Sequence, residues 1–203
     1  MNETEDNRAA SQVLEDAVEK HQADLISVEE LIVALHGRGF GLLLVIFVLP
    51  NCIPIPAPGL TSITAMPLFF LGYQMLLGHD HPWLPNWISQ KKFRRSQLAS
   101  LVTKASPKLK KIETLLKPRF LAASSAMGER MIGALCLTLA GCIALPIPGS
   151  HFVPGVGILA MALGLLSRDG ITIMIGALIG LLGFCMTLGI LIFGAGAIES
   201  FFG

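Results

Sequence analysis

The stretch Pro50-Asn51-Cys52-Ile53-Pro54-Ile55-Pro56-Ala57-Pro58-Gly59 lies in the middle of an apolar run, residues 39–78, that contains no Asp, Glu, Lys or Arg. A run of this length exceeds the roughly 20 residues that one helix needs to cross a bilayer. Proline lacks a backbone N–H and clashes with the preceding turn, so four prolines in this stretch cannot continue a helix. The sequence therefore predicts a hairpin of two short helices, at about 40–49 and 60–77.

A second uncharged run, residues 131–167, is interrupted in the same way by Leu145-Pro146-Ile147-Pro148-Gly149. It predicts a second hairpin, with helices at about 131–144 and 153–166. A shift of 92 positions aligns the two runs without a gap. Nine residues are then identical, namely Arg38, Gly41, Leu43, Pro54, Ile55, Pro56, Leu71, Gly72 and Gly78 with Arg130, Gly133, Leu135, Pro146, Ile147, Pro148, Leu163, Gly164 and Gly170. The match predicts an internal repeat, and helices broken at corresponding positions are a feature of transporters.

A third uncharged run, residues 170–198, predicts one long transmembrane helix. It contains Gly176-Ala177-Leu178-Ile179-Gly180, a spacing of glycines that lets another helix approach closely. The partner helix can belong to the same chain or to a second copy. We expect a homodimer with its contact on the glycine-rich face of 176–189, which Gly180→Ile would split.

The charges are few and unevenly placed. They make up 14% of the residues, against about 25% in soluble domains. Nine of the fourteen acidic residues lie in 1–30, and ten of the fifteen basic residues lie in 91–119. By the positive-inside rule the basic loop is cytoplasmic. The acidic N-terminus does not resemble a signal peptide, so we expect it in the cytoplasm as well. Both Pro-Ile-Pro turns and the C-terminus then lie on the outer side.

These patterns predict an all-α integral membrane protein that crosses the membrane several times, with two pseudo-repeated hairpins and one long C-terminal helix. Each hairpin arm is short, so re-entrant hairpins are an alternative to full crossings. We divide the chain into an acidic N-terminal segment with an amphipathic helix at 1–38, the first hairpin at 39–78, a basic loop at 79–130, the second hairpin at 131–169 and the C-terminal helix at 170–198. Basic, amphipathic stretches of the loop are expected to contact membrane lipids.

The starts of the second arms carry the candidate binding residues. Ser150 is a predicted N-cap, followed by His151. The first turns of the matching arm contain Thr61, Ser62 and Thr64. If the hairpins are re-entrant, two positive helix ends meet these polar groups near mid-membrane, an arrangement that suits an anionic substrate. If the hairpins cross fully, the same residues are ordinary caps in an outer loop.

Arg38 and Arg130 occupy matching places at the starts of the first arms. Long basic side chains at such places commonly reach toward lipid phosphate as anchors. The alternative is a gating network in which Arg130 pairs with Glu129 or Arg38.

The sequence contains no GxSxG, no phosphate-binding glycine loop and no metal-ligand spacing. His79-Asp80-His81 is interpreted as a solvated turn. We therefore expect no enzyme, no cofactor, no metal site and no nucleic-acid partner.

The chain resembles the ExoD family of bacterial membrane proteins, named for exopolysaccharide synthesis, over about residues 26–196. The stretches that carry the resemblance are Gly37-Arg38-Gly39-Phe40-Gly41-Leu42-Leu43, the proline-rich turn with Ser62, Pro82-Trp83-Leu84-Pro85, Lys117-Pro118-Arg119, Gly128-Glu129-Arg130, Pro146-Ile147-Pro148, and Leu163-Gly164-Leu165 with Arg168-Asp169-Gly170. Before the first arginine the family often has Glu, as in Glu129-Arg130, whereas this chain has Gly37.

The resemblance implies a place in the bacterial inner membrane and a part in exopolysaccharide production, without a defined reaction. Two hypotheses follow. In the first, the protein transports an anionic solute or a lipid-linked sugar. In the second, it is a non-transporting accessory protein that holds polysaccharide-synthesis proteins through its basic loop.

Overall fold

The computed structural model consists of α-helices joined by turns, with one small sheet. The structure describes residues 25–27, 38–52, 60–83, 92–94, 125–145 and 150–202. In the two strands, in 60–62 and from 193 onward it describes only the course of the backbone. The helices are α1 (Gly39–Val48, continued by a 3₁₀ turn at Leu49–Cys52), α2 (Leu60–Leu77), α3 (Ala126–Ala144), α4 (Phe152–Ser167) and α5 (Gly170–Phe202).

The predicted helical architecture is confirmed in these ranges. α3 differs, because it begins at Ala126 and not near 131. Ser125 caps it by accepting a hydrogen bond from the Gly128 backbone N–H at 3.2 Å. Two strands were not predicted: β1 (Leu25–Ser27) pairs antiparallel with β2 (Lys92–Arg94). Three-residue strands are too short to show a period of two in the sequence.

α2 and α4 end in the same way, with a left-handed residue that closes the last turn. In α2 this residue is Gly78, with φ of 79°, and in α4 it is Arg168, with φ of 53°. The next backbone N–H reaches back to the helix in both cases, from His79 to Gln74 O at 3.2 Å and from Asp169 to Gly164 O at 2.8 Å. This pattern is the Schellman motif.

The two hairpins exchange arms. α1 packs mainly against α4, and α2 packs mainly against α3. Near the start of α1, a Cβ on Gly41 would lie 3.0 Å from Ala162 O, close to the end of α4. Near the start of α3, a Cβ on Gly133 would lie 2.8 Å from Gly72 O, close to the end of α2. Both pairs are therefore antiparallel, and α1 and α3 finish at the end of the bundle where α2 and α4 begin. We call this the turn end.

The two crossings match atom for atom. Gly133 faces Gly72 O, Met75 Cβ and Leu76 N, whereas Gly41 faces the same atoms of Ala162, Leu165 and Leu166. The first arms therefore correspond by the predicted shift of 92, and the second arms by a shift of 90. The ungapped alignment paired Gly72 with Gly164. In the packing, however, Ala162 takes the place of Gly72.

α5 runs back along α4 and meets it at glycines. A Cβ on Gly157 would lie 2.6 Å from Gly180 Cα, and a Cβ on Gly176 would lie 2.5 Å from Met161 N. Farther along, a Cβ on Gly183 would lie 2.7 Å from Pro154 Cδ. Gly176, Gly180 and Gly183 of α5 thus pack within the chain, whereas nothing lies within 4 Å of the Cβ position of Gly189. A homodimer, and its contact on the glycine-rich face of α5, stay predictions.

Large apolar side chains lie both inside and outside the bundle. Leu44, Leu68, Leu139 and Ile158 are fully buried, while many others on the outer surface of the helices are about half exposed. α3 and the part of α5 from Gly170 to Ile192 are long and apolar enough to cross a membrane by length and composition. α1, α2 and α4 contain shorter apolar stretches.

Candidate functional site

Asn51 is a deeply buried polar residue at the turn end, with 1% of its surface exposed. Its Oδ1 accepts a hydrogen bond from the Thr64 hydroxyl of α2 at 3.0 Å, and its Nδ2 donates a long one, 3.4 Å, to Phe47 O. A Cβ on Gly155, in the first turn of α4, would lie 3.3 Å from Asn51 Cβ. Asn51 therefore lies between the N-terminal part of α2 and the first turn of α4.

Ser150 and His151 lie at the start of α4. Ser150 is buried and His151 is partly exposed. The predicted N-cap is wrong by one position, since His151 occupies it in a helical conformation and its side chain makes no capping hydrogen bond. Ser150 belongs to the turn before it.

The remaining predicted residues of this end are placed only in part. Thr61 and Ser62 lie in the first turn of α2, where only the backbone is described. The turn residues Pro54, Pro56, Pro146 and Pro148 lie outside the described residues. The structure thus joins Thr64 to Asn51, and it places Ser150 and His151 at the start of the helix that packs on Asn51.

Thr187 adds a second buried polar group near this end, also with 1% exposure. Its hydroxyl donates to Gly183 O at 2.9 Å within α5, and it lies beside the Cys142 side chain of α3. Gly183 in turn faces Pro154 of α4. The polar groups at the turn end therefore lie on both sides of the first turn of α4.

The positive ends of α2 and α4 both point into this region. A helix has unpaired backbone N–H groups in its first turn and a partial positive charge there. Two such starts on either side of a buried amide can hold a negatively charged or strongly polar group. No strongly acidic side chain occurs among the described residues at this end.

The opposite end of the bundle carries the charges, and we call it the charged end. Arg38 is 7% exposed at the start of α1, whereas its counterpart Arg130 is exposed on α3. Arg130 lies against Gly78, where a Cβ would be 2.6 Å from its Nε. Glu129 is half-buried and interacts electrostatically with Arg168 and Asp80. The matching arginines therefore have different surroundings.

Asp169 and Gln74 are the other buried polar residues of the charged end. Asp169 Oδ1 accepts from Ile171 N at 3.1 Å and Oδ2 accepts from the Thr172 hydroxyl at 3.0 Å, so Asp169 caps α5. Gln74 donates to Trp83 O at 3.0 Å and accepts from Trp83 N. These contacts hold the chain after α2 against that helix.

Sequence reasoning missed Asn51, Gln74 and Thr187. Each stands within an otherwise apolar run, and a polar residue in such a run is a signal of function or of a specific buried contact. Asn51 was overlooked because it is surrounded by prolines, where asparagine is common in turns.

A family model and a curated relative carry the same name, ExoD. The family model described as "Exopolysaccharide synthesis, ExoD" matches residues 10–189. An uncharacterized protein of Synechocystis sp. is 30% identical over 163 residues, which are 79% of this chain and 77% of the relative. Protein ExoD of Rhizobium meliloti is 26% identical over 170 residues, 82% of this chain and 70% of the relative. No solved structure matches.

Proposed function

Because the chain belongs to the ExoD family, we propose that it takes part in exopolysaccharide synthesis as a bacterial inner-membrane protein that moves an anionic solute or a lipid-linked sugar. The observation that supports transport is the position of Asn51 between the N-terminal part of α2 and the first turn of α4. A buried polar group among apolar helices is costly, and in membrane proteins such groups commonly line a substrate path.

The proposed architecture is a repeat of two hairpins that share one core. The matched crossings of α1 with α4 and of α3 with α2 support it. α1 and its 3₁₀ turn together rise about 23 Å, less than the roughly 30 Å of a hydrocarbon core. The turn end therefore lies inside the membrane in the re-entrant arrangement, where helix N-termini can take over the hydrogen bonds of a solute that has left water.

The first test concerns orientation. We expect the charged end to face the cytoplasm and the turn end to face outward, because the basic loop of 91–119 follows from the charged end. In a chain without its four native cysteines, a cysteine at Lys104 should react with a membrane-impermeant maleimide only in opened cells. A cysteine at Ser200 should react in intact cells. Labelling of both from one side would contradict this topology.

The second test concerns the polar cluster at the turn end. Asn51→Leu and Thr64→Val remove the hydrogen bond between α1 and α2 while keeping side-chain size. We expect each to lower exopolysaccharide output of a complemented deletion strain by about tenfold, the effect of losing roughly 1.4 kcal/mol of interaction with a solute. Ser62→Ala and His151→Ala should act in the same direction. Immunoblots of membranes must show normal amounts of protein.

Thr138→Val is the matched control, because the Thr138 hydroxyl is exposed and bonds only to Ala134 O, at 2.9 Å, in its own helix. It should leave output unchanged. If the turn-end variants keep full output while neutralising Lys91, Lys92, Arg94 and Arg95 removes it, the protein acts as an accessory through its loop and the transport proposal fails.

A further inference from the structure

The helices of this bundle form two bodies that cut across the hairpins. Body A contains α1, α4 and α5, and body B contains α2 and α3. Within body A, Gly41 faces the backbone of Ala162 and Gly157 faces the backbone of Gly180. Within body B, Gly72 faces α3 and Gly133 faces α2, and a Cβ on Gly72 would lie 2.8 Å from Leu137 N. Backbones at this distance interlock, so neither helix can slide without separating from the other.

The contact between the bodies is of a different kind. Every described glycine whose Cβ would meet the backbone of another helix within 3.4 Å meets it inside its own body. Between the bodies, the nearest such approach is from Gly180 to Leu139 Cδ1, the end of a flexible side chain. α1 with α2, and α3 with α4, pack less extensively than α1 with α4, α4 with α5 and α2 with α3. Interfaces made of side-chain ends permit the small sliding movements seen in shear motions.

Polar groups join the two bodies at both ends. At the turn end, the Thr64 hydroxyl of body B donates to Asn51 Oδ1 of body A, and Thr187 of body A lies beside Cys142 of body B. At the charged end, the oppositely charged side chains of Glu129 in body B and Arg168 in body A lie near each other. These polar groups at the two ends flank a middle section of apolar side chains.

We propose that bodies A and B, and not the two hairpins of the sequence, are the units that rock against each other, with the Asn51–Thr64 hydrogen bond holding them together at the turn end. The proposal rests on the transport function for its purpose, since rocking would open and close the way to the first turns of α2 and α4. Asn51 and Thr64 belong to the same hairpin, so rigid hairpins would leave their separation constant. If bodies A and B move as rigid units, the separation between Asn51 and Thr64 changes.

The test uses spin labels on exposed residues of the cysteine-free protein in nanodiscs, with distances measured by pulsed electron paramagnetic resonance. The pair Met66 and Met131 lies within body B but in different hairpins. The pair Ile46 and Leu178 lies within body A. The pair Ile46 and Met66 lies within one hairpin but in different bodies. We expect narrow distance distributions for the first two pairs and a wide one for the third.

A reversible lock then isolates the cause. With cysteines in place of Asn51 and Thr64, oxidation should narrow the 46–66 distribution to the width of the within-body pairs, and reduction should restore it. A narrow 46–66 distribution with a wide 66–131 distribution would show that the hairpins are the units and overturn the proposal. Three narrow distributions before locking, or three wide ones, would overturn it as well.

The same experiment separates this inference from the transport proposal. The distances are measured without any solute, so they depend only on the motion of the bodies. If the bodies move as expected while Asn51→Leu leaves exopolysaccharide output normal, the transport proposal fails and the two-body motion stands. If Asn51→Leu lowers exopolysaccharide output but the 46–66 distance does not vary, the two-body motion is excluded and the proposed site at the turn end is retained.

Discussion

Replacing Gly176 with isoleucine is expected to release α5 from α4, whereas the same replacement at Gly189 should have little effect. A Cβ on Gly176 would lie 2.5 Å from Met161 N and 2.9 Å from Gly157 O, so both backbones must move apart. Overpacking of this kind costs about 1–3 kcal/mol, and more where the backbone cannot adjust. Nothing lies within 4 Å of the Cβ position of Gly189. Both variants carry the same substitution in the same helix, so they differ only in whether the new side chain meets another helix.

One natural cysteine, Cys136, provides the measurement. Cys136 is fully buried on α3, so in a variant that retains only this cysteine, reaction with a fluorogenic maleimide on heating reports unfolding. Gly176→Ile should lower the midpoint temperature strongly, and Gly189→Ile should stay near the parent. Equal effects of both would contradict the packing of α5. If Gly176→Ile instead converts a dimer to a monomer without loss of stability, the glycine-rich face of α5 is a dimer contact.

Gly133→Leu should damage the pair of α2 and α3 to a similar degree. A Cβ on Gly133 would lie 2.6 Å from Leu76 N and 2.7 Å from Met75 Cβ, which leaves no room for a leucine between the helices. Gly141→Leu is the control on the same helix, because nothing lies within 4 Å of its Cβ position. The contrast between these two variants removes the contribution of helix propensity, which favours leucine over glycine at both sites.

The Cys136 assay and the amount of protein in membranes both measure this prediction. We expect Gly133→Leu to accumulate poorly and to expose Cys136 at low temperature, with Gly141→Leu close to the parent. If Gly133→Leu is as stable as Gly141→Leu, then α2 and α3 do not cross at these glycines, and the assignment of body B is wrong.

Hydropathy and proline placement were sufficient to predict the helices themselves. The uncharged runs and the breaks near Pro54 and Pro146 fixed the four hairpin arms to within one residue or so, except at the start of α3. The cap residue Ser125 lies before the uncharged run, four residues ahead of the charged Glu129. A prediction based on the absence of charge therefore began α3 too late.

The partners of the helices could not be read from the same signals. A glycine indicates that some backbone approaches, but it carries no information on which helix approaches, so both a helix of the same chain and a second copy stayed open as partners of Gly180. For a related reason, the shift of 92 that the alignment predicted for the second arms was wrong, because their packing corresponds to a shift of 90. Leu71-Gly72 is identical to Leu163-Gly164, whereas the small residue that packs in the equivalent place is Ala162. The alignment gave more weight to identical residues than to residues of similar size.

The exchange of arms also determines when the bundle can be completed during synthesis. Chains fold in the order in which they emerge, N-terminal segments first. In the membrane arrangement that we propose, α1 and α2 enter the bilayer before their closest partners have been translated, since α3 begins at Ala126 and α4 at Phe152. Until then, the glycine surfaces at Gly41 and Gly72 would have only lipid to cover them. The first hairpin would then remain an unfinished insertion intermediate until the second hairpin arrives. That interval would be a point at which membrane insertases and quality-control proteases act on the chain.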